Sequence, residues 1–154
     1  MEIKKINSPA FIINKKILDE NLENITVGCN QLKNKVIIGY SLKTNPKPFL
    51  VKYLIKKDVY IEVVSYDEYN YALDLGVPTT RIIYNGPIKN KKTLIKAIKN
   101  GSIVNIDSFA EFKWILESNI KNKKISVYES GRSQSAGRRS HHPYGISTGT
   151  AIGR

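Results

Sequence analysis

Short apolar runs recur along this chain at nearly even intervals, and that rhythm restricts the fold more than any single residue does. KVIIGYSLK (35–43), VYIEVVS (59–65), RIIYNG (81–86), SIVNID (102–107) and KKISV (123–127) are rich in Ile, Val and Tyr, residues that suit buried strands. Between them lie four stretches with helical patterning. PKPFLVKYLIKK (46–57) carries proline in its first turn, YDEYNYALDLG (66–76) stops at Gly76, KNKKTLIKAIKNG (89–101) stops at Gly101, and SFAEFKWILES (108–118) opens on Ser108 with Glu111 three residues later. Proline at the start, glycine at the end and a Ser-x-x-Glu box are helix boundary signals. Ahead of these units, SPAFIIN (8–14) reads as a short strand, and Ile17, Leu22, Ile25 and Leu32 mark a helix over about 16–33.

Strand, helix and strand in repeated succession make a parallel sheet, because a helical crossover returns the chain in the same direction. Two α/β architectures meet that requirement. An open doubly wound sheet would place a glycine-rich phosphate turn after an early strand, and SLKTNPKP (41–48) contains no glycine. The expected fold is therefore a partial (β/α)8 barrel of about the first five strands. A whole barrel takes roughly 200–250 residues, so a chain of 154 residues holds just over half of one.

Composition bears on partners. The net charge of +12 comes from 25 cationic residues, and 20 of these are lysines spread along the chain without an arginine stripe or interleaved aromatics. A basic RNA-binding fragment is the competing class of function, and the scatter of the lysines speaks against nucleic acid. Cys29 alone permits no internal disulfide. No leader pattern and no run of about 18 apolar residues is present, so a cytoplasmic protein with no membrane span is expected. Residues 1–128 form the expected barrel segment. From Glu129 the stretch ESGRSQSAGRRSHHPYGISTGTAIGR has four arginines and no lysine; it reads as an irregular or non-native tail unable to bury a core, and His141 and His142 are discounted as metal ligands.

In parallel α/β folds functional groups gather at the C-terminal ends of the strands. Those ends are Lys43, Ser65, Asn85 to Pro87, and Asp107 with Ser108. A lysine on an apolar rim either loses its proton and condenses with an aldehyde, or lays its stem along the wall with its head in water. Glu62 lies mid-strand between apolar neighbours, as a partner for such a lysine or in a structural pair. Tyr66, Tyr69 and Tyr71 read as packing against the sheet. No Ser-His-Asp combination emerges.

In SPAFIINKKILDENL, YSLKTNP, IEVVSYDEYNYALDLGV, RIIYNGPIK and IVNIDSFAEF, taken in order and spacing, the chain resembles the fold-type III pyridoxal-phosphate decarboxylases. That group contains diaminopimelate, ornithine and arginine decarboxylases and shares its barrel with alanine racemase; the pattern is closest to diaminopimelate decarboxylase. The resemblance implies that Lys43 carries pyridoxal phosphate, that Glu62 lies beside the cofactor where many members have aspartate, and that Ser65 and Glu68 follow it in a Ser-x-x-Glu position. Asn85, Gly86, Pro87 and Lys89 match the turn after the third strand. It further implies a lyase acting on a small amino acid, most closely the diaminopimelate step of lysine formation, in a homodimer. A racemase or a non-catalytic cofactor-binding protein of the same fold is the alternative. The family's phosphate cradle, ring-stacking histidine and β-domain would all fall beyond residue 128, so this chain by itself is expected to bind cofactor weakly, to expose strand edges and to self-associate.

Overall fold

The computed structural model describes residues 12–118 and 120, and the backbone of Ser126 and Val127. The chain divides into two units, Met1–Ile38 and Gly39–Arg154. In the first, helix α1 spans Lys15–Asn30, opened by Asn14, whose side chain accepts from the backbone N–H of Lys16 (3.0 Å) and Ile17 (3.3 Å). No residue of α1 is buried. Its expected apolar positions Ile17 and Ile25 are about half exposed, at 53% and 50%. The strand expected over 8–14 falls mostly outside the described residues, and Ile12–Asn14 are not strand.

The second unit runs β1 (Gly39–Ser41), α2 (Pro48–Lys56), β2 (Tyr60–Ser65), α3 (Tyr66–Asp74), β3 (Ile82–Ile88), α4 (Lys91–Lys99), β4 (Ile103–Ile106), α5 (Phe109–Glu117) and β5 (Ser126–Val127). Every adjacent strand pair is parallel, and the spatial order is β1-β2-β3-β4-β5. Sequential order separates the two candidate architectures. A doubly wound sheet reverses its strand order at a switch point, whereas a barrel adds each strand beside the last. The observed order is that of a barrel segment.

Residues alternate across the sheet. Ile61, Val63, Ile82, Tyr84, Val104 and Ile106 are buried beneath the helices, together with Val51, Ala72, Leu94, Ala97 and Ile115 from α2 to α5. Glu62, Val64, Ile83, Asn85, Ile103 and Asn105 alternate with that set and are only half buried. They form the opposite face, the one a barrel turns inward.

β1 is shorter than the nine-residue run around it suggested. Its ladder partner β2 starts at Tyr60, after Asp58 turns the chain in the left-handed region at φ 62°, so pairing begins at Gly39. Lys43 then lies in a 3-10 turn, Leu42–Thr44, just past the strand.

Candidate functional site

The site is assembled at the C-terminal edge of the sheet, from the segments that leave β1, β2, β3 and β4. The first of these, carrying Lys43, is pinned at several points. Leu42 is fully buried. The Thr44 hydroxyl donates to Ser41 O (2.7 Å), the Tyr40 hydroxyl to Asn45 O (3.2 Å) and the Tyr71 hydroxyl, from α3, to Pro46 O (2.9 Å). Lys43 is thus an exposed side chain on a fixed turn. The apolar surroundings expected for its amine are not supplied by the described residues, because the 3-10 turn carries Lys43 past the strand and buries Leu42 in its place.

Ser41 is the register partner of Glu62 on β2, so the turn that holds Lys43 starts beside that carboxylate. Glu62 belongs to a polar row across the inward face: Asn85 Nδ2 donates to Glu62 Oε1 (3.1 Å), and Asn105 Nδ2 donates to Asn85 Oδ1 (3.3 Å). The Ser41 hydroxyl oxygen is enclosed without a hydrogen-bond partner among the described residues. Asn105 escaped the sequence reading, although a polar residue at an inward position of SIVNID is its signal.

Ser65 ends β2 and opens α3. Its side chain accepts from the Glu68 N–H (3.2 Å), while Glu68 Oε2 accepts from the Val64 N–H (2.9 Å). The next units repeat the device at α5, where Ser108 Oγ accepts from the Glu111 N–H (3.2 Å) and Glu111 Oε2 from the Asp107 N–H (2.9 Å). Each serine and glutamate satisfies N–H groups that a helix start leaves without partners.

Gly86 lies against Val64 of β2, at a register irregularity between Val63 and Ser65. Its φ is +86°, and a Cβ there would stand 2.6 Å from Val64 O. Only glycine meets both conditions. Beyond it, Lys89 turns toward the helix side of the sheet instead of lining the open edge: its amine is bonded to Gly86 O, to Asp107 Oδ2 and to both oxygens of Glu111 (3.3 Å), and lies 5.8 Å from the Tyr84 ring centre. Lysine and glutamate are both buried, at 8% and 2% exposure. The sequence reading placed Lys89 in this turn but not in a buried ion cluster.

Of the three tyrosines, Tyr69 is wholly buried, stacked on Tyr84 with ring centres 5.1 Å apart and bonded to Ser102 Oγ (3.2 Å). Burial pushes the Tyr69 hydroxyl above its ordinary 10.0, partly offset by Ser102. Tyr71 and Tyr66 stay partly exposed, at 37% and 44%. The packing role therefore holds for Tyr69, while Tyr71 serves the Lys43 turn.

Comparison with known proteins agrees with this architecture. A family model described as "Pyridoxal-dependent decarboxylase, pyridoxal binding domain" matches residues 22–150, a span that continues past residue 128. The diaminopimelate decarboxylase of Zymomonas mobilis is 25% identical over 112 residues, 71% of this chain and 27% of that protein. Among solved structures, the arginine decarboxylase of Paramecium bursaria Chlorella virus is 27% identical with a TM-score of 0.59, over 73% of this chain and 29% of its own. Helicobacter pylori diaminopimelate decarboxylase, complexed with L-lysine, is 26% identical with a TM-score of 0.56, over 70% and 29%. This chain thus spans between a quarter and a third of these proteins.

The residues present suit a pyridoxal cofactor. An exposed primary amine on a pinned turn is the nucleophile an aldehyde requires, and the neighbouring inward face offers the Glu62 carboxylate and the enclosed Ser41 hydroxyl, which has no partner among the described residues. Among the described residues no helix is long and apolar enough to cross a membrane.

Proposed function

The chain belongs to the pyridoxal-dependent decarboxylase family, and from that premise we propose that it provides the cofactor-lysine part of a pyridoxal-phosphate-dependent amino-acid decarboxylase, with Lys43 as the residue that binds the cofactor aldehyde. One observation carries the reading: Lys43 stands exposed on the turn that leaves β1, two residues past Ser41, which lies in register with Glu62 at the C-terminal edge of a sequentially wound parallel sheet.

Bound pyridoxal phosphate supplies an electron sink for the pair left when a substrate α-carboxylate departs as carbon dioxide. The chain's own residues hold and move protons around it. Lys43 Nζ would hold the cofactor and would hand the substrate α-carbon the proton it takes up when carbon dioxide leaves. Glu62 would lend a carboxylate to the inward face, in register with Ser41 at the start of the Lys43 turn. Ser65 accepts from Glu68 N–H through a lone pair, which leaves its own O–H as a donor for the cofactor.

For the substrate, the reading is meso-diaminopimelate, supported by the name of the Zymomonas relative and the closeness of the sequence pattern. Arginine is the second reading, favoured by the viral arginine decarboxylase, whose structure matches at a comparable level. The homodimer typical of the family belongs to the same proposal.

The test is to mix the full chain with pyridoxal phosphate, reduce with borohydride and map the adduct among its 20 lysines. Label on Lys43 is expected, lost in Lys43→Ala. Label on another lysine with Lys43 unmodified would overturn the assignment. Release of carbon dioxide from diaminopimelate but not from arginine, by the full chain loaded with pyridoxal phosphate, separates the two substrates.

A further inference from the structure

On the inward face Ser41 is the register partner of Glu62, whose own partner on β3 is Ile83; Asn85, two residues beyond Ile83, and Asn105 on β4 join Glu62 diagonally through hydrogen bonds. Among the described residues the Glu62 carboxylate is held from the β3 side. Its Oε1 accepts from Asn85 Nδ2 at 3.1 Å, and Asn85 is itself held because its Oδ1 accepts from Asn105 Nδ2 at 3.3 Å. With donor and acceptor ends both engaged, the Asn85 amide has one favoured orientation. On the other side, toward β1, the Ser41 hydroxyl has no partner among the described residues, and Lys43, two residues further on, is exposed and forms no ion pair with Glu62 there.

This asymmetry has a chemical meaning. A carboxylate free to swing toward a neighbouring ammonium favours the cation, and a lysine held as a cation is a poor nucleophile for an aldehyde. We propose that Asn85, braced by Asn105, is a positioning residue that draws the Glu62 carboxylate toward β3 and so keeps the Lys43 amine out of an ion pair. It acts through Glu62 and touches neither cofactor nor substrate. The inference rests on Lys43 being the cofactor lysine, and its experiment needs no cofactor.

The full chain, free of cofactor, is treated with a trace of acetic anhydride at pH 8, and acetylation of each lysine is measured by mass spectrometry. Exposed Lys96 on α4 is the internal reference. In Asn85→Ala, Lys43 labelling relative to Lys96 is expected to fall about threefold, the size of an exposed ion pair, and to recover in the Asn85→Ala, Glu62→Gln double variant. Asn105→Ala, which leaves Asn85 in place but unbraced, gives a smaller fall in the same direction and carries the test if Asn85→Ala does not fold. Unchanged or faster labelling of Lys43, or a fall that persists in the double variant, overturns the proposal, since general loosening of the fold would not depend on the Glu62 charge. Cofactor trapping on Lys43 with unaltered acetylation rejects the positioning role alone. Trapping elsewhere rejects the Lys43 assignment whichever way acetylation goes.

Discussion

Lys89 and Glu111, separated by a whole βα unit in sequence, meet as a buried ion pair in which the lysine amine stands 3.3 Å from both carboxylate oxygens. Gly86 O and Asp107 complete the shell around the amine. The cluster ties the turn after β3 to the start of α5, and Glu111 at the same time accepts from the Asp107 N–H.

Removing one partner leaves the other charge buried without compensation, which costs roughly 3–5 kcal/mol. Lys89→Met is therefore expected to lower the unfolding free energy by about that amount in urea titration. Glu111→Gln should cost less, because the amide oxygen still accepts from Asp107 N–H. The two losses should be far from additive in the double variant, since each already breaks the same pair.

Gly86 and Gly76 offer a controlled comparison. Both have positive φ, +86° and +84°, but a Cβ at Gly76 meets nothing within 4 Å, whereas at Gly86 it meets Val64 O at 2.6 Å. Gly76→Ala should cost about 1–2 kcal/mol, the left-handed backbone alone. Gly86→Ala adds a backbone collision that only separation of β2 from β3 relieves. It should lose distinctly more in denaturant midpoint, and it should also disturb Asn85, the residue before it.

Ser65 separates structural from cofactor roles. Its hydroxyl caps α3, so Ser65→Ala should cost about 1 kcal/mol, measured by thermal unfolding without cofactor. Ser65→Asn keeps a capping oxygen and should recover most of that stability. If the Ser65 O–H also meets the cofactor, pyridoxal phosphate retention on Lys43 stays weakened in the asparagine variant while stability does not.

The sheet was legible because its signals are local: alternating runs, the Gly76 and Gly101 stops, and the two Ser-x-x-Glu caps each operate within a few residues. The strand ends named Lys43, Ser65, Asn85 and Asp107 for the same reason. What stayed hidden depends on which neighbours a later unit brings. Lys89 reads as a loop lysine until β4 and α5 place Asp107 and Glu111 against it, although two acids one βα unit downstream are a usable hint. The exposure of Lys43 follows from a 3-10 turn that buries Leu42 in the core, and apolar periodicity does not distinguish that turn from a continued strand.

Tyr84 is buried beneath the helices, and its hydroxyl has no partner among the described residues. Burial, followed by the charge of Glu111, pushes that hydroxyl well above the ordinary 10.0 of tyrosine. In the folded chain it keeps its proton at pH values where the unfolded chain has released it. The folded state then binds more protons than the unfolded state, so stability is fully present below pH 10.0 and declines as pH rises above it. Tyr84→Phe removes both effects while keeping the ring against Tyr69 and Lys89. At neutral pH the variant should be more stable by about 1 kcal/mol, because an unsatisfied buried hydroxyl is removed. Urea midpoints measured at pH 8 and about pH 11 should fall less steeply in the variant than in the parent, with Tyr69 and the lysines contributing the slope common to both; equal slopes would show that the Tyr84 hydroxyl does not titrate differently on unfolding.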